Sequence, residues 1–140
     1  MVDRLRYRDW IDKSERDIKS AKILKEHDCG NDVVAFHCQQ AIEKILKAYL
    51  IIKGDGVVSG HSLLYLCKLA QGHDVTFKKY IKDCGFANQY YIETRYSADS
   101  LLIVSDYEAD ECVKIAEEIY NYVMSIISNK QGAVSKQVWY

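Results

Sequence analysis

A chain of 140 residues with 49% apolar and 28% charged residues has the composition of a single folded domain, which excludes a disordered tail or a fibrous repeat. Its net charge of −1 excludes bulk electrostatic attraction to nucleic acid, and no apolar run approaches the ~18 residues that a membrane-spanning helix needs. Five cysteines without metal-like spacing, and charges at Asp3, Arg4, Arg6 and Arg8 in place of an apolar leader, give the expectation of a reduced, cytoplasmic protein.

The first predicted helix runs from about Arg4 to His27, with Trp10, Ile11, Ile18, Ala21, Ile23 and Leu24 facing inward. It ends near Asp28-Cys29-Gly30, where Gly30 is expected to supply a left-handed C-cap. Asn31 or Asp32 is expected to cap the second helix, which ends near Lys53 ahead of Gly54-Asp55-Gly56. In that helix Val34, Cys38, Ala41, Ile42, Ile45, Ala48, Tyr49 and Ile52 recur on one face. Gln40, Glu43 and Lys47 stack beside them as a polar stripe, with Lys44 adjoining; by pattern alone this is a surface ladder worth about 0.2–0.5 kcal/mol per pair.

Ser59 or His61 is expected to open a short third helix through Leu63, Leu64, Leu66, Cys67 and Leu69, ending at Gly72. A fourth is predicted from about Thr76 to Tyr96, broken around Cys84-Gly85 because glycine costs about 1 kcal/mol inside a helix. Ser105-x-x-Glu108 is a capping box for the fifth, whose stripe is Cys112, Val113, Ala116, Ile119, Tyr120, Val123, Ile126 and Ile127. Periodicity is weak over 131–140, which is predicted to be a flexible tail following a domain of residues 1–130. The chain has no proline and no β-alternation. Long helices joined by short loops predict an all-α, up-and-down bundle of about five helices. Residues 1–27 hold eight Lys/Arg against six acids and residues 98–140 hold three against seven, so the first and last helices are expected to pair their charges.

Few residues stand out chemically. Arg95 follows Tyr90-Tyr91-Ile92-Glu93-Thr94 and reads either as a partner of Glu93 in a salt bridge or as a phosphate ligand, with Tyr91 and Tyr96 able to stack on a base. His61 reads as a helix-start hydrogen-bonding group or a ligand contact, and His37, one turn before Gln40, can join the polar stripe. Cys38, Cys67 and Cys112 fall among apolar positions, where a free thiol acts as a small hydrophobe. There is no His-x-x-x-His, Cys-x-x-Cys, phosphate-binding loop or serine-hydrolase arrangement, so no metal and no cofactor are expected.

The run Gln39-Gln40-Ala41-x-Glu43-Lys44-x-x-Lys47-Ala48 resembles the signature of the HEPN family, small all-helical domains named for nucleotide binding. Trp10 in a first helix, His61-Ser62-Leu63 after a Gly-rich loop, and Thr94-Arg95-Tyr96 agree with the family in order, with Ser97 where many members carry proline. The match spans roughly residues 5 to 128. The resemblance implies a bundle like that of nucleotidyltransferase substrate-binding subunits, a homodimer, and a groove for a nucleotide or an RNA phosphate. In that groove Lys44, Lys47 and Arg95 would supply charge, His61 and Tyr91 would position the ligand, and His37, Gln40 and Glu43 would support them. It also implies a nucleotidyltransferase partner, commonly as toxin and antitoxin. Catalytic members cleave RNA without metal through an Arg followed four to six residues later by a His. Here positions 99–102 read Asp-Ser-Leu-Leu and the last histidine is His73, so no catalytic residue is expected and the reading leans away from an enzyme. Two alternatives stay open: a non-catalytic interaction module docking that partner, and a divergent metal-independent ribonuclease. Nothing signals DNA specificity or a membrane.

Overall fold

The computed structural model describes residues 2–91 and 103–139, and every regular element in them is helical. In chain order these are α1 (Val2–Glu26), α2 (Asn31–Ile52), α3 (Leu63–His73), a 3-10 helix (Val75–Tyr80), α4 (Ile81–Asn88) and α5 (Asp106–Trp139). No helix among the described residues is long and apolar enough to cross a membrane.

α2 lies at the centre. Leu46, Leu50 and Ile51 are buried as fully as the predicted stripe, because α1 packs on one side of α2, α5 on another, and the α3–α4 segment on its C-terminal half. α1 runs antiparallel to α2: Trp10 meets Lys47, the Ser14 hydroxyl donates to the Ala41 carbonyl at 2.7 Å, and Asp17 meets Lys44 and His37. The Asn31 side-chain amide donates to the Val104 carbonyl (3.1 Å) and to Asp106 (2.8 Å), so α2 and α5 start at the same end of the bundle. The expected charge pairing of first and last helices is present: Lys22 meets Glu117 at 2.9 Å, Lys25 meets Asp110, and the Tyr120 hydroxyl donates to Glu15.

Several predicted boundaries shift for local reasons. Asp28, not Gly30, is the left-handed residue after α1 (φ 57°). Gly30 instead precedes α2 at φ 113°, where an added Cβ would lie 2.8 Å from an Asp32 carboxylate oxygen. No side chain caps α2, since Asn31 is engaged by α5. α3 is capped by Ser62, whose hydroxyl accepts from the Tyr65 N–H at 3.2 Å, rather than by Ser59 or His61. The predicted fourth helix changes geometry at Tyr80–Ile81, and Gly85 sits inside α4. A 3-10 period of three places Phe77 and Tyr80 on one buried face, and Asp74 caps that segment by accepting from the Thr76 N–H at 2.9 Å. Ile23 is 56% exposed, because it points away from the Ile11–Ile18–Ala21 face of α1.

The capping box forms as expected: Ser105 N–H and Oγ donate to Glu108 Oε1 at 3.3 and 3.1 Å, and the Glu108 N–H donates to Ser105 Oγ at 3.1 Å. The Tyr90 hydroxyl also donates to Glu108 Oε2, and with the Ser105 bonds holds the carboxyl below its ordinary range. A depressed acid contributes stability that is complete above its unfolded-state range and is lost as pH falls through the folded-state value. Tyr90→Phe is therefore expected to cost about 1 kcal/mol at neutral pH and less once Glu108 is protonated, because the bond is then no longer charge-assisted. Urea melts of both proteins at neutral pH and below the glutamate range measure this.

Candidate functional site

Polar side chains embedded in α2 meet two neighbours. The first cluster centres on Glu43, 4% exposed. Its Oε2 accepts from Lys47 Nζ at 3.0 Å, one turn on, and His61 Nδ1 lies 3.1 and 3.2 Å from its two oxygens. Lys47 is itself only 5% exposed, and its ammonium lies 5.4 Å from the centre of the Trp10 ring, which Lys13 also covers at 5.3 Å. The stripe is thus a desolvated ion pair rather than a surface ladder. His61 comes from the turn before α3, after Gly54, Gly56 and Gly60, each at positive φ. Its carbonyl accepts from the Gln39 amide at 3.3 Å, and Gln39 in turn accepts from Gln40 at 2.8 Å. The His61 ring stacks on Tyr91, centroids 4.6 Å apart and planes 17° from parallel.

The second cluster centres on Asp17 of α1, 9% exposed, which accepts from Lys44 Nζ at 2.6 Å and meets His37 Nδ1 at 3.0 Å. Both clusters share one plan: a buried carboxylate holds one lysine and one histidine, and the histidine is the more exposed of its pair, at 28% for His37 and 51% for His61.

Of the residues singled out by sequence, Lys47, His61, Tyr91, Gln40 and Glu43 come together in the first cluster, whereas Lys44 and His37 belong to the second. Arg95 lies outside the described residues. Sequence reasoning passed over Asp17, named Gln39 only as part of the HEPN-like run, and read Trp10 as an inward-facing residue and a piece of that resemblance. Gln39 is fully buried, and its bonds to the His61 carbonyl and to Gln40 supply the partners that a buried polar side chain needs. No group of acidic, histidine or cysteine side chains among the described residues is placed to hold a metal ion. Burial pushes the Cys38 and Cys112 thiols up, Cys112 to about 12, which leaves them protonated packing groups.

Known proteins resemble this chain in sequence and fold. The sequence pattern of the HEPN domain matches residues 7–127. The candidate toxin MJ1304 of Methanocaldococcus jannaschii is 26% identical over 136 residues, covering 88% of this chain and 89% of that protein. The crystal structure of TT1696 from Thermus thermophilus superposes with a TM-score of 0.72 at 28% identity, over 86% of this chain and 97% of that one. That of ST0689, an archaeal HEPN homologue, superposes with a TM-score of 0.71 at 26% identity, again over 86% and 97%.

Proposed function

Because this chain belongs to the HEPN family, we propose that it binds a nucleotide or an RNA phosphate beside the Glu43–Lys47–His61 cluster and acts with a nucleotidyltransferase partner in a toxin–antitoxin pair. The observation that supports this most is the half-exposed His61 ring, fixed at its edge by a buried carboxylate and stacked on Tyr91, four residues before Arg95. The toxin assignment of the Methanocaldococcus relative supports the pairing. A homodimer would put two such faces in one particle, in keeping with the usual two-fold assembly of small domains.

Lys44 and Lys47 each hold a carboxylate, so the positive charge for a phosphate falls chiefly to Arg95, whose planar fork matches phosphate oxygens. Calorimetric titration with ATP, GTP and a short RNA tests the reading. Arg95→Ala is expected to weaken binding at least ~10-fold, since a charge-assisted hydrogen bond contributes about 1.5–3 kcal/mol, and to leave the melting temperature unchanged. No binding of any of the three overturns it. The same protein is expected to leave single-stranded RNA uncleaved, because no histidine follows Arg95. Metal-independent cleavage lost in Arg95→Ala would favour the divergent ribonuclease instead.

One observation favours a second reading. The neutralisation of both lysines by buried carboxylates also suits a non-catalytic module in which the clusters brace helices and the bundle surface docks the nucleotidyltransferase.

A further inference from the structure

We propose that the ligand of this site is recognised mainly through its base, stacked on the open face of His61, rather than through its phosphates. The inference rests on the nucleotide reading above and narrows it to ligands that carry an unstacked nucleobase.

Charge among the described residues argues against a phosphate site built on Lys44 and Lys47. Lys47 Nζ lies 3.0 Å from Glu43 and under the Trp10 ring, with 6% of its side chain exposed. Lys44 Nζ lies 2.6 Å from Asp17. An incoming phosphate would meet two ammonium groups already neutralised, and two carboxylates that repel it. Lys13 is exposed over Trp10, and beyond it the described part of the cluster offers no cation without a carboxylate partner.

Ring geometry argues for a base. His61 is tethered at three points: Nδ1 on Glu43, the backbone carbonyl on the Gln39 amide, and one ring face on Tyr91. The remaining half of its side chain is exposed. A planar ring already held in place loses little rotamer freedom when a second plane stacks on it, which is how aromatic platforms bind bases with little sequence preference. With Nδ1 facing Glu43, Nε2 lies at the other edge of the ring, suited to a hydrogen bond with a ribose hydroxyl or the edge of a base. The shared chemistry is a nucleobase with its sugar, supplied by a free nucleotide or by an unpaired RNA residue.

The test titrates the full chain with ATP, adenosine, inorganic tripolyphosphate and hexa-adenylate RNA, following two-dimensional NMR spectra. Adenosine is expected to shift the same resonances as ATP and compete with it, while tripolyphosphate does neither. Because salt screens exposed ionic contacts, raising it from about 50 to 200 mM is expected to change the ATP affinity less than about threefold. His61→Ala is expected to weaken adenosine binding at least ~10-fold, and His61→Phe, which keeps the ring and loses the nitrogens, to stay within about threefold. If His61→Phe does not fold by circular dichroism, His61→Tyr, which also keeps a ring and loses the nitrogens, makes the same comparison. A stronger response to hexa-adenylate than to ATP assigns the base to RNA; the reverse assigns it to free nucleotide. Displacement of ATP by tripolyphosphate but not by adenosine overturns the base-led inference and leaves nucleotide binding standing. Silence from ATP, adenosine and RNA alike overturns both.

Discussion

Glu43→Ala is expected to lower the unfolding free energy by about 3–5 kcal/mol, the cost of leaving one member of a buried ion pair without its partner. Lys47 would keep an ammonium that is 6% exposed, with the Trp10 face against it and no ion pair to another carboxylate among the described residues. His61 would lose its tether in the same step. For a domain of 140 residues the melting temperature should fall on the order of 10–15 °C, read by circular dichroism or calorimetry. Replacing both partners with apolar residues, as in Glu43→Leu with Lys47→Met, should recover most of the loss, because no charge is then stranded. A single substitution costing under about 1 kcal/mol would mean that the pair is solvated as a surface ladder is.

Phe77→Ala is the second large effect, at about 3–5 kcal/mol. Phe77 is fully buried in the 3-10 segment, with its ring centre 4.7 Å from that of Tyr49, 5.3 Å from Tyr122 and 6.2 Å from Tyr80. Its removal opens a void where α2, α5 and the 3-10 segment meet, and the three neighbouring tyrosine rings, two of them edge-on to Phe77, are too rigid to collapse into it. Phe77→Leu should cost roughly a third to a half as much, since most of the volume is retained. Urea denaturation of the three proteins, with equal m-values, checks the ordering.

How far the sequence could be read depended on whether the relevant contact was local. The spacing of apolar residues located α1, α2 and α5, and Ser105 with Glu108 gave the start of α5, because helical period and capping are near-neighbour effects. The loop-flanked elements were harder. Ser62 caps α3 two residues beyond a run of glycines whose conformations the sequence leaves open, and the turn into α4 is set by where Phe77 finds its aromatic neighbours. For the site, the i to i+4 spacing of Glu43 and Lys47 was visible, but their burial was not, since it comes from α1 and the His61 turn closing over α2. Leu46, Leu50 and Ile51, apolar residues outside the predicted stripe, were the clue that α2 is enclosed on several sides. The pairing of His37 and Lys44 with Asp17 crosses about 20 and 27 residues of chain, beyond what periodicity reports.

That pairing has a consequence for how such a sequence can drift. Asp17 answers to two residues of α2 at once, so a change at position 17 is felt at 37 and 44 together. Substitutions within the trio are therefore non-additive, and a lineage that loses the acid keeps its stability best by losing the amine in the same interval. Across related chains, positions 17, 37 and 44 should covary as one block and positions 43, 47 and 61 as another, with little correlation between the blocks.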